Sequence, residues 1–184
     1  MRGTEHVSSR VEKLSASIDV PRLFLKTSRE LLTRDFLPKI ERCLDELGDE
    51  DVWWRPNEQS NSIGNLVLHL CGNVSQWIVA AVGGRSYDRH RQQEFDERRV
   101  LPRRELLERI QSAVREAGVV IASVDPDALL ARRRIQGYDV TVLEAIYHVV
   151  EHFSMHTGQI ILITKARTGK DLKLWEPPKA DGSA

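Results

Sequence analysis

The stretch TVLEAIYHVVEHFSMHTGQIILITKA, Thr141–Ala166, decides how this chain is read. Three of the six histidines fall inside it at intervals of four: His148, His152 and His156. An α-helix turns about 3.6 residues per revolution, so each step of four rotates by about 40° and climbs about 6 Å. The three imidazoles therefore form a nearly straight column on one side of the helix. Side chains at i and i+4 are neighbours, which lets a consecutive pair grip one metal ion from the same side. His148 and His156 lie about 12 Å apart along the axis, whereas a metal–imidazole bond is about 2.0–2.1 Å, so all three cannot share an ion. The column predicts two ligands and a spare, with the remaining ligands supplied from elsewhere.

Thr141 with Glu144 three residues later is a capping-box signature, and it sets the start of this helix. Within Val142–Ile163 only Gly158 disfavours a helix, at about 1 kcal/mol against Ala. On a helical wheel Ala145, Val149, Gln159 and Ile163 share the histidine side, while Glu144, Glu151 and Lys165 gather on one narrow arc. So little charge implies a helix buried over most of its circumference, with its histidines turned into a bundle.

The 184 residues suit one domain with a real core. Lys+Arg equals Asp+Glu at 27 each, which favours neither nucleic acid nor an acidic membrane surface. The basic run Arg132-Arg133-Arg134 is short enough to be a solvated turn. Cys43 and Cys71 form no CxxC pattern, which fits a reducing compartment and argues against a disulfide framework or thiolate cluster. The N-terminus has no apolar signal core, and no run of about 18 apolar residues is available for a membrane span. A soluble, cytoplasmic protein is expected.

Residues 1–18 are polar and Ser-rich and read as a flexible tail, with His6 solvated. Residues 19–168 are expected to form the metal-binding bundle and 169–184 a C-terminal tail. A first helix begins near Asp19, with Pro21 in its first turn, and ends at Gly48. Pro38 is expected to kink or interrupt it. The connector GDEDVWWRPNEQSN, residues 48–61, carries Trp53 and Trp54, either to lid the core or to line a substrate pocket; the lid is favoured for at least one of them. A second helix, about Ser62–Val82, is stopped by Gly83-Gly84. Beside its apolar face runs a polar stripe, Asn65, His69, Asn73 and Gln76. Cys71 projects about 200° away from His69 around this helix and cannot join a site with it. The charged loop 83–101 contains His90 and Glu94, both within conceivable reach of a metal and both expected to be solvated. A third helix follows Pro102 and ends before Asp125-Pro126, after which ARRRIQGYDVT suits a brief hairpin or an extended crossing. Four long helical patterns and almost no strand predict an all-α four-helix bundle, in which metal sites are built from facing helices.

Placing His69 opposite a consecutive pair such as His152 and His156 brings three neutral imidazoles to one point. Three protein ligands with open positions is the pattern of a catalytic metal site. By helical spacing Asn65, Asn73, Glu151 and Gln159 are in reach to orient the rings. Ligand histidines must be neutral, so affinity is expected to fall as pH drops through about 6.5 and below. Residue 153 is Phe, so the HExxH protease motif is absent, as are GxSxG, Walker and Rossmann patterns.

The segments NSIGNLVLHLCGNVSQWI (61–78) and HVVEHFSMHTGQII (148–161) resemble the two signature helices of the DinB-like superfamily, which also takes in YfiT-type metal-dependent hydrolases. The chain is most similar to a bacterial branch of that group. The resemblance covers about residues 20–170, including the WWRPNE connector and the R-x-x-EF loop at Arg91–Phe95. It implies a four-helix bundle of unusual connection order. It also implies a triad of one histidine from the second helix and two, four apart, from the last, the final one preceding a Gly-Gln pair by one residue. Those positions are His69, His152 and His156, with His148 the spare. The implied cofactor is a divalent ion such as zinc or nickel, with a low-molecular-weight thiol as co-substrate. Thiol S-transfer is the activity the resemblance favours, against a hydrolase using hydroxide in place of thiolate, or a non-catalytic metal-binding bundle. The expected partner is a small molecule, with no nucleic acid or membrane and with a homodimer left open.

Overall fold

Asp19 starts the first helix by accepting from the Arg22 amide at 3.0 Å, and Pro21 falls in the opening turn, where no helical donor is required. This is α1, Val20–Glu30, in a computed structural model that describes residues 19–175; the tail expected at 1–18 lies outside them. Pro38 does not interrupt the rod. A wide π-turn, Leu31–Phe36, leads straight into α2, Leu37–Asp45, and the Leu37 amide reaches back five residues to the Leu32 carbonyl. A proline ring collides with the carbonyl four residues before it and leaves it without a donor. Widening the helix immediately upstream accommodates both problems while the helix continues.

After the short α3, Asp49–Val52, comes α4, Ile63–Val74, opened by a reciprocal capping box between Ser62 and Asn65 and prolonged by a π-helical segment, Ser75–Val82. A one-and-a-half-turn helix, α5, Arg91–Asp96, lies within the charged loop, and α6 spans Arg103–Ser123. A 3-10 turn, Pro126–Leu130, precedes an antiparallel hairpin of β1, Arg132–Ile135, and β2, Tyr138–Thr141. Gln136 and Gly137 both have positive φ, 53° and 88°, as a two-residue turn matched to strand twist requires. Thr141 then caps α7, Val142–Thr168, through the box with Glu144, and Gly169 ends it at φ 66°.

The four long rods form a ring. The α4 rod packs on α6 and α7, and the α1–α2 rod packs on the same two from the other side. Leu32, Leu70, Ile110 and Phe153 close the centre, all fully buried. Trp53 is buried and its indole Nε1 donates to the Leu101 carbonyl at 2.9 Å, so it lids the core; Trp54 lies under the Arg167 guanidinium. Leu172 is 1% exposed, so the chain just beyond Gly169 packs on the bundle.

Burial of α7 is less complete than its sparse charge implies. Tyr147, Met155 and Leu162 are exposed on its outer side, and the histidines stand at the edge of the buried face. Ile63–Val82 is apolar and long enough by composition to cross a membrane, but most of it is buried inside this ring, with His69 and Asn73 among its buried residues.

Candidate metal centre

His69 and Asn73 lie one turn apart on the side of α4 that faces α7, where His148, His152 and His156 climb in turn. His69 Nε2 and His152 Nε2 are 2.8 Å apart. His156 completes the cluster: its ring stands perpendicular to that of His69 at 5.2 Å between centroids, and one donor atom from each of the three residues lies within 4.8 Å of the others. His69 and His156 are buried and His152 is half-buried. Tetrahedral bonds of about 2.0–2.1 Å place donor atoms about 3.3 Å apart, so this cluster closes on an ion by small ring movements.

Two of the rings have their second nitrogen engaged. His156 Nδ1–H donates to Gln159 Oε1 at 2.6 Å, and His69 Nδ1–H donates to Glu94 Oε2 at 2.9 Å. Both therefore present Nε2 lone pairs toward the cluster. Donors of this kind, each held by an outer hydrogen bond, suit a metal ion. His148 is placed elsewhere: its Nε2 meets Asn73 Nδ2 at 3.3 Å and its ring lies 4.1 Å from that of Trp77.

The charged loop corrects the expectation for Glu94. Its side chain is 11% exposed, gripped by Arg89, whose Nε and Nη2 donate to Oε1 and Oε2 at 2.7 and 2.8 Å. Arg89 is itself 2% exposed and also donates to Gln76 Oε1 at 3.1 Å. Phe95 covers the His69 ring at 4.6 Å. His90 stays solvated, 63% exposed beside Asp88. Asn65 makes no hydrogen bond to a histidine; its Nδ2 donates to the Glu94 and Glu97 carbonyls at 2.9 and 3.1 Å. Of the four residues expected to orient the rings, Gln159 does so for the triad, Asn73 serves the spare, Asn65 ties down the loop, and Glu151 is exposed. Arg89 and Glu94 are what the sequence reading missed. The available signal was the polar stripe itself, since Asn65, His69 and Gln76 each meet this loop.

Burial, followed by the neighbouring imidazoles of His156 and His69, pushes His152 down to about 3. Burial likewise lowers His156 and His148. For Glu94 burial acts upward, but hydrogen bonds from Arg89 and His69 outweigh it and hold the carboxyl below its usual range. Lowered values at His152 and His156 beside an ionised Glu94 favour taking a cation, since ligand imidazoles must be unprotonated.

Residues 19–180 match the family described as Protein of unknown function (DUF1572). The chain belongs to it. Among solved structures, this DUF1572 member is similar to a conserved protein from Enterococcus faecalis, at TM-score 0.65 and 16% identity over 79% of this chain and 97% of that one. It is also similar to a DinB-like protein from Bacillus cereus, at TM-score 0.60 and 12% identity over 74% and 88% of the two chains. At such identities the likeness is one of fold, and that fold is DinB-like. No curated protein matches the sequence. The fold and the three-histidine cluster fit a metal-binding protein.

Proposed function

We propose that this DUF1572 protein is a divalent-metal-dependent enzyme that transfers a low-molecular-weight thiol to an electrophilic small molecule. One observation carries the reading: three imidazole nitrogens from two helices converge within 4.8 Å, and among the described residues no carboxylate or thiolate closes the set. Structural sites are usually closed by four protein ligands, whereas three leave room for a reactant. An ion held there supplies the positive charge that lowers a thiol's pKa, and the thiolate is the competent nucleophile.

The protein's own thiols do not fill that role. Burial pushes Cys71 up to about 12, and it lines a cavity of about 610 Å³ beneath the charged loop, together with Gly72 and Glu94, and is not part of the histidine cluster. Cys43 is fully buried in the core, and burial raises it too. The nucleophile is therefore an external thiol. A cavity of about 360 Å³, lined by Pro56, Gln59, Asn61 and Leu162 and by none of the three histidines, offers room for a small molecule. Gln159 lines the same cavity while holding the His156 ring, so the connector and the last helix would present the electrophile to the site. As the carbon–sulfur bond forms, the bond to the leaving group breaks and the thiol proton passes to solvent.

The test begins with metal analysis of protein purified without a histidine tag. The metal-loaded protein is then offered a chlorinated or epoxide compound with and without bacillithiol, mycothiol or glutathione. Conjugation that needs both metal and thiol is the expected result. Turnover without thiol would replace this reading with a hydrolase, and no turnover with bound metal would leave a non-catalytic metal-binding bundle.

A further inference from the structure

We infer that Glu94, locked by Arg89, is the positioning residue that makes His69 a metal ligand, and that Gly72 exists to let the carboxylate reach it. The inference rests on the metal-site reading above. Two groups compete for one atom of His69. Glu94 Oε2 lies 2.9 Å from Nδ1, and Arg89 Nη2 lies 3.2 Å from the same nitrogen. An ionised carboxylate can only accept a hydrogen bond and a guanidinium can only donate one, so the two partners demand opposite tautomers. With the carboxylate in place Nδ1 carries the proton, and Nε2, 2.8 Å from His152 Nε2, keeps its lone pair on the cluster side. Without it, Arg89 donates to Nδ1, the proton moves to Nε2, and the ring offers a hydrogen where a ligand must offer a lone pair.

Glu94 is neither a ligand nor a base in this arrangement. Its Oε1 is taken by Arg89 Nε and its Oε2 by Arg89 Nη2 and His69, all on the side of the ring away from Nε2. The carboxylate is also delivered from a different element, α5, and the backbone behind it is fastened to α4 by Asn65 one turn before His69. Gly72 supplies the space. A Cβ there would stand 1.9 Å from Glu94 Oε1 and 2.8 Å from both Glu94 Cδ and Arg89 Nε. Helix propensity alone favours Ala over Gly by about 1 kcal/mol at such a position. Local helix stability gives no reason for the glycine; the carboxylate does.

The test uses the full chain and two readouts. Zinc affinity is measured by competition with a chromophoric chelator, and the tautomer of His69 is read from the 15N shifts of histidine-labelled, metal-free protein. The wild type is expected to hold His69 as the Nδ1–H form. Glu94→Ala and Gly72→Ala are each expected to convert it to the Nε2–H form and to weaken zinc by about 10–100-fold. A wild-type His69 already protonated on Nε2, or a Gly72→Ala protein that binds zinc as the wild type does, overturns the inference. Should Glu94→Ala not fold, the wild-type tautomer and Gly72→Ala still decide. A wild type that binds no zinc, yet shows Nδ1–H in His69 and loses it in Gly72→Ala, sustains the positioning role while the metal reading falls.

Discussion

His148 and His152 stand one turn apart on the same helix face, with ring centroids 5.4 Å apart, yet their neighbours assign them different work. His152 turns Nε2 toward His69 Nε2, whereas His148 spends its Nε2 on Asn73 and its ring on Trp77. His152→Ala is therefore expected to abolish stoichiometric metal. His148→Ala should retain it while losing about 1 kcal/mol of stability with the ring contact. Metal analysis of the two purified variants checks this, and equal loss in both would remove the distinction. The i,i+4 spacing on one long helix puts His148, His152 and His156 on one face whatever the tertiary structure does, but it leaves open which consecutive pair meets His69; the resemblance to the DinB-like helices is what singles out His152 and His156. The pairing of Glu94 with His69 could not be read from sequence, because the two residues are brought together only when the loop folds over α4. A carboxylate in a run of Asp, Arg and Gln carries no local mark that distinguishes the one that will be buried.

Among the elements, the opening of α4 is set by a close approach. Gly64 lies against the Trp53 ring, and a Cβ at that position would come within 2.7–2.8 Å of three ring carbons. Trp53 is held by its bond to the Leu101 carbonyl and has little freedom to retreat. Gly64→Ala gains about 1 kcal/mol of helix propensity but overpacks this junction, which typically costs about 1–3 kcal/mol. The expected outcome is a lower urea midpoint with metal content unchanged; a higher midpoint would show that Trp53 gives way. Element boundaries were legible where capping chemistry is local, as at Ser62, Thr141 and the Gln136-Gly137 turn. Pro38 disturbs the helix without interrupting it, for a physical reason. A proline penalises the regular helix at its own position, but an added residue of slack in Leu31–Phe36 removes the clash, and that slack has no sequence signature.

In the molecule as a whole, four rods enclose a polar column at the contact of α4 and α7, and the cost of that enclosure is a dependence on pH. Helix number followed from the apolar periodicities, but the ring order did not, since each rod's apolar face is compatible with several neighbours. In the folded, metal-free protein His152 stays neutral down to about 3, chiefly through burial, and His148 and His156 are lowered in the same direction. In the unfolded chain these residues return to about 6.5. Between those limits the unfolded state binds protons that the folded state refuses, so stability is fully present above about pH 6.5 and declines as pH falls. Glu94 acts with the same sign at lower pH: its carboxyl is held below the ordinary range in the fold, and that contribution is lost on acidification through the folded value. The urea midpoint of metal-free protein is therefore expected to be level above about pH 7 and to fall steadily toward about pH 4. His152→Gln should flatten part of that slope. Metal competition follows the same direction, so the lowered value at His152 shifts proton displacement of the ion below the pH 6.5 region expected for free imidazoles. A midpoint independent of pH between about 7 and 4 would mean that these histidines are as accessible to protons in the fold as in the unfolded chain.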